Sequence, residues 1–276
     1  MDSWLRSKGQ KISLIIIYIE NDRKMRTLVL GDIHGAYAAL FQCLERCCFD
    51  YDKDMLIQLG DVVDGYSESY ECVEELLKIK NLISIKGNHD EWLYEFIIND
   101  FHPKYWSFGG KGTLISYLTH AGKRDGYVTS RRGFKTTLNA SDFPPAHRMF
   151  FANQRLFYVD NKNRCFVHAG FDLSCSFYNQ IPSEYYDNRS LWLNTFSAMN
   201  NGLVNSKTLL ATGFSEIFIG HTPTTNFGSD KPLKAFNVTN VDTGAGHNGR
   251  LTIMDIDTKE FWQSDPSKEL YDHNFR

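Results

Sequence analysis

The chain has 276 residues, 42% of them apolar, and a formal net charge of −3. A chain of this length buries a large core without disulfide staples, and the near-neutral balance, with no basic stripe, excludes nucleic acid as a bulk partner. An anionic substrate would have to be attracted by charge local to its own site.

Residues 12–19 form an apolar run preceded by Lys8 and Lys11. It is far shorter than the roughly 20 residues that span a bilayer. Polar residues 20–24, four of them charged, stand where a signal peptide needs small ones. The run reads as an extra strand or as an upstream extension of residues 1–24, with Met25 as an alternative start.

From there a unit recurs: a short apolar strand, a turn rich in Asp, Gly and His, then a helical pattern. Residues 27–30 precede Gly31-Asp32-Ile33-His34-Gly35 and a helix through Leu44. Residues 55–59 precede Gly60-Asp61-Val62-Val63-Asp64-Gly65 and a helix over residues 68–78. Residues 82–85 precede Gly87-Asn88-His89-Asp90 and a helix through Ile98. Such alternation predicts βαβ units with parallel strands. Residues 101–148 are less regular and are expected to form a small helical cap with loops. Strands follow at 156–159 and 165–167, the second ending in His168-Ala169-Gly170, and at 216–219, ending in Gly220-His221-Thr222. Residues 237–241, 251–256 and 260–262 read as antiparallel strands of a second sheet. The expected layout is a single domain over residues 25–265 with a short tail at 266–276.

Six cysteines are scattered without a C-x-x-C pair, so a cysteine-held zinc is not indicated. Cys43 and Cys47 share one helix face, and all six read as reduced thiols of a cytoplasmic protein.

The chemistry lies in where the polar residues fall. Asp32, His34, Asp61, Asp64, Asn88, His89, His168 and His221 all sit in turns after five separate apolar strands. In open α/β sheets the carboxyl ends of the strands converge on one crevice. Singly, Asp32 or Asp61 would be an ordinary N-cap and Asn88 a turn residue. Together they offer carboxylate oxygen, imidazole nitrogen and one amide oxygen, a mixture suited to Mn²⁺, Fe or Zn²⁺ and not to an all-oxygen calcium cage. A carboxylate shared by two ligand sets can bridge metals about 3.5–4 Å apart, which clamp an in-line phosphoryl displacement and acidify a bound water.

These five turns, in this order, resemble the signatures of the calcineurin-like metallophosphoesterases, within the phosphoprotein phosphatase superfamily and its short prokaryotic and phage branch. The spacing is similar too, with 29 residues from Asp32 to Asp61 and 27 from Asp61 to Asn88. The segment from Gly109 to Tyr117 is also similar to a cap segment of that branch, and the resemblance extends from about Thr27 to Trp262.

The resemblance implies a β-sandwich of two mixed sheets flanked by helices, and a dinuclear metal-dependent hydrolase. Asp32, His34 and a bridging Asp61 would hold one divalent ion; Asp61, Asn88, His168 and His221 would hold the other, with Mn²⁺ the leading choice. His89 would protonate the leaving alkoxide and Asp64 would fix its ring. A metal-held hydroxide would attack phosphorus in one step, without a phosphoenzyme. The substrate would be phosphorylated, a protein or a small phosphomonoester.

The chain departs from the family pattern at two phosphate-binding arginines. Gly65 stands where one is usual, and Leu193, Asn194 and Thr195 follow Trp192 where the other is usual. Arg189, Lys111 and Lys86 are the cations available to substitute.

Two other functions compete. A dinucleoside polyphosphate or nucleotide hydrolase would stack its bases on aromatics such as Tyr66, Trp106, Phe108, Tyr185, Tyr186 or Trp192. A catalytically weak metal-containing binder of phosphorylated partners would have no need of His89 with Asp64.

Overall fold

The central strands carry short apolar runs because they are buried on both faces, one against helices and the other against a second sheet. The computed structural model describes residues 24–276 except 101, 103, 131–132 and 203–211. The apolar run at residues 12–19 lies outside the described residues.

The first sheet contains β1 (Thr27–Leu30), β2 (Met55–Gln58), β3 (Asn81–Ser84), β11 (Thr252–Asp255) and β12 (Phe261–Gln263), in the order β12-β11-β1-β2-β3. Its β1, β2 and β3 are parallel, in a register that sets Leu28 opposite Leu56 and Leu56 opposite Leu82. The second sheet contains β6 (Phe157–Val159), β7 (Arg164–Val167), β8 (Glu216–Ile219), β9 (Leu233–Ala235) and β10 (Val238–Asn240), in the order β6-β7-β8-β10-β9. Both sheets are mixed and carry flanking helices, as the sequence leads one to expect.

The period-two alternation of side chains sorts the core into layers. Val29, Ile57, Phe166 and Phe218 face inward between the sheets, with the rings of Phe166 and Phe218 stacked at 5.1 Å. Their neighbours Leu28, Leu30 and Leu56 face the helices of the first sheet, and Cys165, Val167, Ile217 and Ile219 those of the second.

The C-terminal strands differ from expectation. Of the three expected strands, β10 joins the second sheet, parallel to β8 and antiparallel to β9. Strand β11 instead pairs antiparallel with β1, and β12 extends that edge. Apolar alternation specifies that a strand is half-buried, not which sheet it completes.

Helix α1 (Tyr37–Arg46) follows β1, α2 (Ser69–Leu77) follows β2 and α3 (Asn88–Asn99) follows β3. The 101–148 segment contributes α4 (Gly110–His120) and a hairpin of β4 (Tyr127–Ser130) with β5 (Gly133–Thr136). It is continuous with the main core: α4 packs on α2, and Trp106, Leu114, Tyr117 and Phe143 are buried in the cluster that covers the first sheet. Helix α5 (Pro145–Ala152) completes that layer. On the other side, α6 (Pro182–Asp187) and α7 (Ser190–Asn200) contribute Tyr185, Leu191 and Trp192 to the second sheet's cover. All six cysteines are free thiols, four of them buried. Among the described residues no helix is long and apolar enough to cross a membrane.

Candidate metal centre

Five loops leave the carboxyl ends of β1, β2, β3, β7 and β8, and they meet at one edge of the sandwich. Close approach is built into their backbones. His34, Asp61, Asp64 and His221 have left-handed φ angles of 53°, 55°, 68° and 65°, a conformation costing about 1–3 kcal/mol each for a residue with a side chain. Gly87 and Gly220 allow very tight contacts, since a Cβ there would lie 2.1 Å from Asp61 Oδ1 and from Asp32 Oδ1 respectively.

Backbone carbonyls orient the imidazoles. His34 Nδ1 donates to the carbonyls of Val63 and Asp64 at 3.1 and 3.0 Å, which leaves Nε2 3.6 Å from Asp61 Oδ2 and 3.9 Å from Asp32 Oδ2. His168 Nδ1 donates to the Leu59 carbonyl at 2.8 Å. Its Nε2 then lies 3.4 Å from Asp61 Oδ2, 3.3 Å from Asn88 Oδ1 and 3.1 Å from His221 Nδ1. Fixing one ring nitrogen so that the other is presented is how proteins orient metal-binding histidines.

Two clusters result. Ligand atoms of His34, Asp61 and His89 lie within 4.8 Å of one another, as do those of Asp61, His168 and His221, so Asp61 is common to both. All of these side chains are buried.

The charges are poorly balanced by protein alone. Burial, and then the neighbouring Asp242, push Asp32 well above the usual carboxylate range. Burial opposes ionisation of Asp61 too, but His168, His89 and His34 outweigh it and hold Asp61 well below that range. Burial disfavours a charged His168, yet Asp61 and Asp32 lift it to about 10. Burial holds His34 and His221 well below their ordinary value, helped by Arg276 and by His168 respectively.

The residues fit divalent cations. Asp32 Oδ1 is buried without a hydrogen-bond partner, and His168 Nε2 faces the acceptor oxygens of Asp61 and Asn88. Buried acceptors aimed at one another are costly unless a cation or proton lies between them.

His89, a member of the first cluster, has its Nδ1 2.8 Å from Asp64 Oδ2. Asp64 Oδ1 accepts from Thr113 Oγ1 at 2.6 Å and Trp106 Nε1 at 3.0 Å. Asp64 is thus locked, and the Nε2 of His89 points to the Arg276 guanidinium, 3.1 Å from Nη2. A histidine held this way can deliver a proton to a group bound beside it.

A cleft of about 480 Å³ opens beside the clusters, and His34, His221, Arg189, Asp242, His247 and Arg276 contribute to its lining. Arg189 is anchored through Nη1 to the His221 carbonyl at 2.7 Å and Thr222 Oγ1 at 3.1 Å. Lys111 is not brought to this cleft; its ammonium lies 5.2 Å from the Phe275 ring centroid and 5.7 Å from that of Tyr127. Lys86 is ion-paired with Glu91. Of the aromatics considered for stacking, Tyr66, Trp106, Tyr185 and Trp192 are buried in the core.

Three cleft residues escaped sequence reasoning. Asp242 follows β10 in an Asn-Val-Asp-Thr-Gly turn, the same strand-then-polar-turn pattern, and applying that rule to a sixth strand would have found it. Burial raises Asp242 to about 6. His247 lies in a glycine-bounded turn, and burial with Arg276 nearby lowers it to about 4. Arg276 carries no local signal at all.

Comparison with known proteins agrees with this geometry. A family model described as calcineurin-like phosphoesterase matches residues 25–248. The serine/threonine-protein phosphatase 1 of Salmonella typhimurium is 25% identical over 231 residues, 83% of this chain and 90% of that protein. A symmetrical bis(5'-nucleosyl)-tetraphosphatase of Dechloromonas aromatica is 40% identical over 101 residues, but these are only 35% of this chain and 34% of that one. Among solved structures, a candidate diadenosine tetraphosphatase superposes with a TM-score of 0.58 at 14% identity, covering 88% of this chain and 94% of the other. A cold-active protein-tyrosine phosphatase of a psychrophilic Shewanella gives 0.52 at 13% identity over 88% and 81%. These superpositions bear on the fold alone.

Proposed function

The chain belongs to the calcineurin-like phosphoesterases and is a metal-dependent hydrolase of that family, and from that premise we propose that it cleaves phosphate monoesters, on a protein or a small molecule. Asp32, His34 and Asp61 hold one divalent ion; Asp61, Asn88, His168 and His221 hold the second. When bound, the two ions supply Lewis acidity toward phosphate and water. Mn²⁺ is the proposed occupant, with Fe or Zn²⁺ as alternatives suited to the same mixed oxygen and nitrogen donors. The observation carrying this reading is the sharing of Asp61 between two clusters, one of which includes the carboxylate-held His89.

The protein's own groups act on the two ends of the substrate. Arg189, fixed on the His221 side of the cleft, binds the phosphoryl oxygens. His89, its Nδ1 held by Asp64, gives the Nε2 proton to the departing alkoxide, so that no high-energy alkoxide is released. A binding module would have no use for that dyad.

A dinucleoside substrate is less well supported. It needs aromatic platforms beside the phosphates, and four of the six candidate rings are core residues. The similarity to the Salmonella phosphatase also spans most of both chains, whereas that to the tetraphosphatase spans a third. Cytoplasmic residence is proposed on the six free thiols.

The test is a panel of aryl and alkyl phosphates, phosphopeptides and dinucleoside polyphosphates, assayed with Mn²⁺ and after chelation, alongside elemental analysis. Metal-dependent turnover of monoesters is expected. Absence of metal-dependent hydrolysis on the whole panel would refute the reading.

A further inference from the structure

We infer that Arg276, carried back across the molecule by the tail, is a substrate-binding residue that grips the phosphoryl group opposite Arg189; this rests on the reading of the site as a phosphoesterase.

The tail is seated by contacts that continue to its last residues. A short helix, α8 (Ser267–Leu270), leads to Tyr271, whose ring stacks on Tyr66 at 4.3 Å. Its hydroxyl accepts from the Ala38 N–H at 2.8 Å and donates to Glu68. Asn274 Nδ2 donates to the Gly246 carbonyl at 2.8 Å, and the Phe275 N–H to the Gly65 carbonyl at 3.0 Å. The tail therefore adds a hydrogen-bonded wall to the loop that carries Asp61 and Asp64.

Three glycines from three loops sheath the arginine. A Cβ at Gly109 would lie 2.8 Å from Arg276 Cγ, one at Gly65 3.5 Å from Cδ, and one at Gly246 2.7 Å from Nη1. Gly65 and Gly109 also have left-handed φ values of 116° and 93°, which glycine adopts without steric cost. Side chains at these positions would fill the slot. Gly65 is also where the family pattern leads one to expect an arginine, so the guanidinium missing from that loop is replaced from a distant part of the chain.

The guanidinium ends at the reacting edge. Nη1 is 2.6 Å from His34 Nε2 and Nη2 is 3.1 Å from His89 Nε2. Two imidazole nitrogens are weak partners for a planar fork of donors. A phosphate oxygen pair is a far better one, because both hydrogen bonds become charge-assisted and bidentate. With the first ion in place His34 Nε2 would already be taken, and a substrate phosphoryl group would draw the guanidinium from His89 and leave that ring for proton transfer. Arg189 and Arg276 both line this cleft, so in a chain of net charge −3 the attraction for an anion is concentrated there.

Arg276→Ala and Arg276→Lys, checked for folding by circular dichroism, test this. Expected for Arg276→Ala are unchanged metal content, a KM for a phosphate monoester raised about tenfold to hundredfold, and inorganic phosphate binding by calorimetry weakened by a similar factor. Arg276→Lys, keeping charge but not the fork, should fall between. Unchanged KM and phosphate affinity in Arg276→Ala would overturn the inference. So would tighter metal binding or faster turnover, which would make the tail a plug. Phosphate affinity is read without turnover, so a wild-type protein that binds phosphate through Arg276 but hydrolyses nothing would refute the proposed function and not this inference.

Discussion

Replacing Asp64 by Asn changes one atom at the most constrained point of the site. Asp64 receives three donors: Thr113 and Trp106 on Oδ1, and His89 Nδ1 on Oδ2. An asparagine that keeps its oxygen toward Thr113 and Trp106 must turn its NH₂ toward His89. The ring nitrogen it meets can then only accept, so the doubly protonated imidazolium is disfavoured. The opposite orientation leaves the NH₂ facing two donors. Either way a charge-assisted hydrogen bond of about 1.5–3 kcal/mol is lost. The acid function it supports is worth about 10²–10⁴ in rate, or about 2.7–5.4 kcal/mol at 1.36 kcal/mol per tenfold. The loss must depend on the leaving group. With an alkyl phosphate, whose alkoxide needs a proton, kcat should drop by about 10²–10⁴. With a nitrophenyl phosphate, whose phenolate leaves readily, the drop should be within about tenfold, and metal content should stay at wild-type level. The assay is kcat for both esters on wild type and Asp64→Asn with parallel elemental analysis. Equal losses on the two esters, or alkyl turnover within about threefold of wild type, would refute the assignment of His89 as proton donor under the control of Asp64.

Gly87→Ala tests the metal centre without touching a ligand. Its Cβ would lie 2.1 Å from Asp61 Oδ1 and 2.3 Å from the Asp61 backbone nitrogen, so the shared carboxylate must move; bound metal per chain and activity should both fall, the latter by at least about 10², and retention of both would mean Asp61 is not shared. Asp54→Asn probes stability at the far end of β1 and β2. Asp54 accepts from the Arg26 side chain at 2.6 Å and from backbone N–H groups of Arg26 and Asp50. Burial raises its pKa, but these partners outweigh burial and hold it below the usual carboxylate value. Because the folded pKa is the lower one, the stabilisation is complete above the unfolded value of about 3.9 and is lost as pH falls through the folded value. Asp54→Asn should therefore cost about 1–2 kcal/mol at pH 7, lowering Tm by a few degrees. That gap should narrow as pH falls below about 3.9, as read by thermal melts across that range; a gap independent of pH would contradict the linkage.

Much of this protein is written locally. Strands buried on both faces carry apolar runs, so β1, β2, β7 and β8 stand out, and the half-buried β3 follows the same pattern in Leu82 and Ile83. Turns that bring a side chain to a shared point need glycine neighbours, so Asp32, Asp61, Asn88, His168 and His221 announce themselves by position. Those two facts made the parallel β1-β2-β3 core, the family and the set of side chains that meet legible before any coordinates. What one sequence pattern cannot encode is which distant surface a segment returns to. Strand β11 looks the same whether it completes one sheet or the other, and the tertiary fold places it beside β1 with Met254 and Ile256 packed between the sheets. The charge of Lys111 looked available to substrate, yet its ammonium is taken up against Phe275 and Tyr127. Arg276 looked like the end of an ordinary tail, and its place beside His34 and His89 depends on a slot formed by glycines 65, 109 and 246, which come together only when three loops fold. Local chemistry is fixed by neighbours in the chain; partnership across loops is decided by close packing, and that exists only in three dimensions.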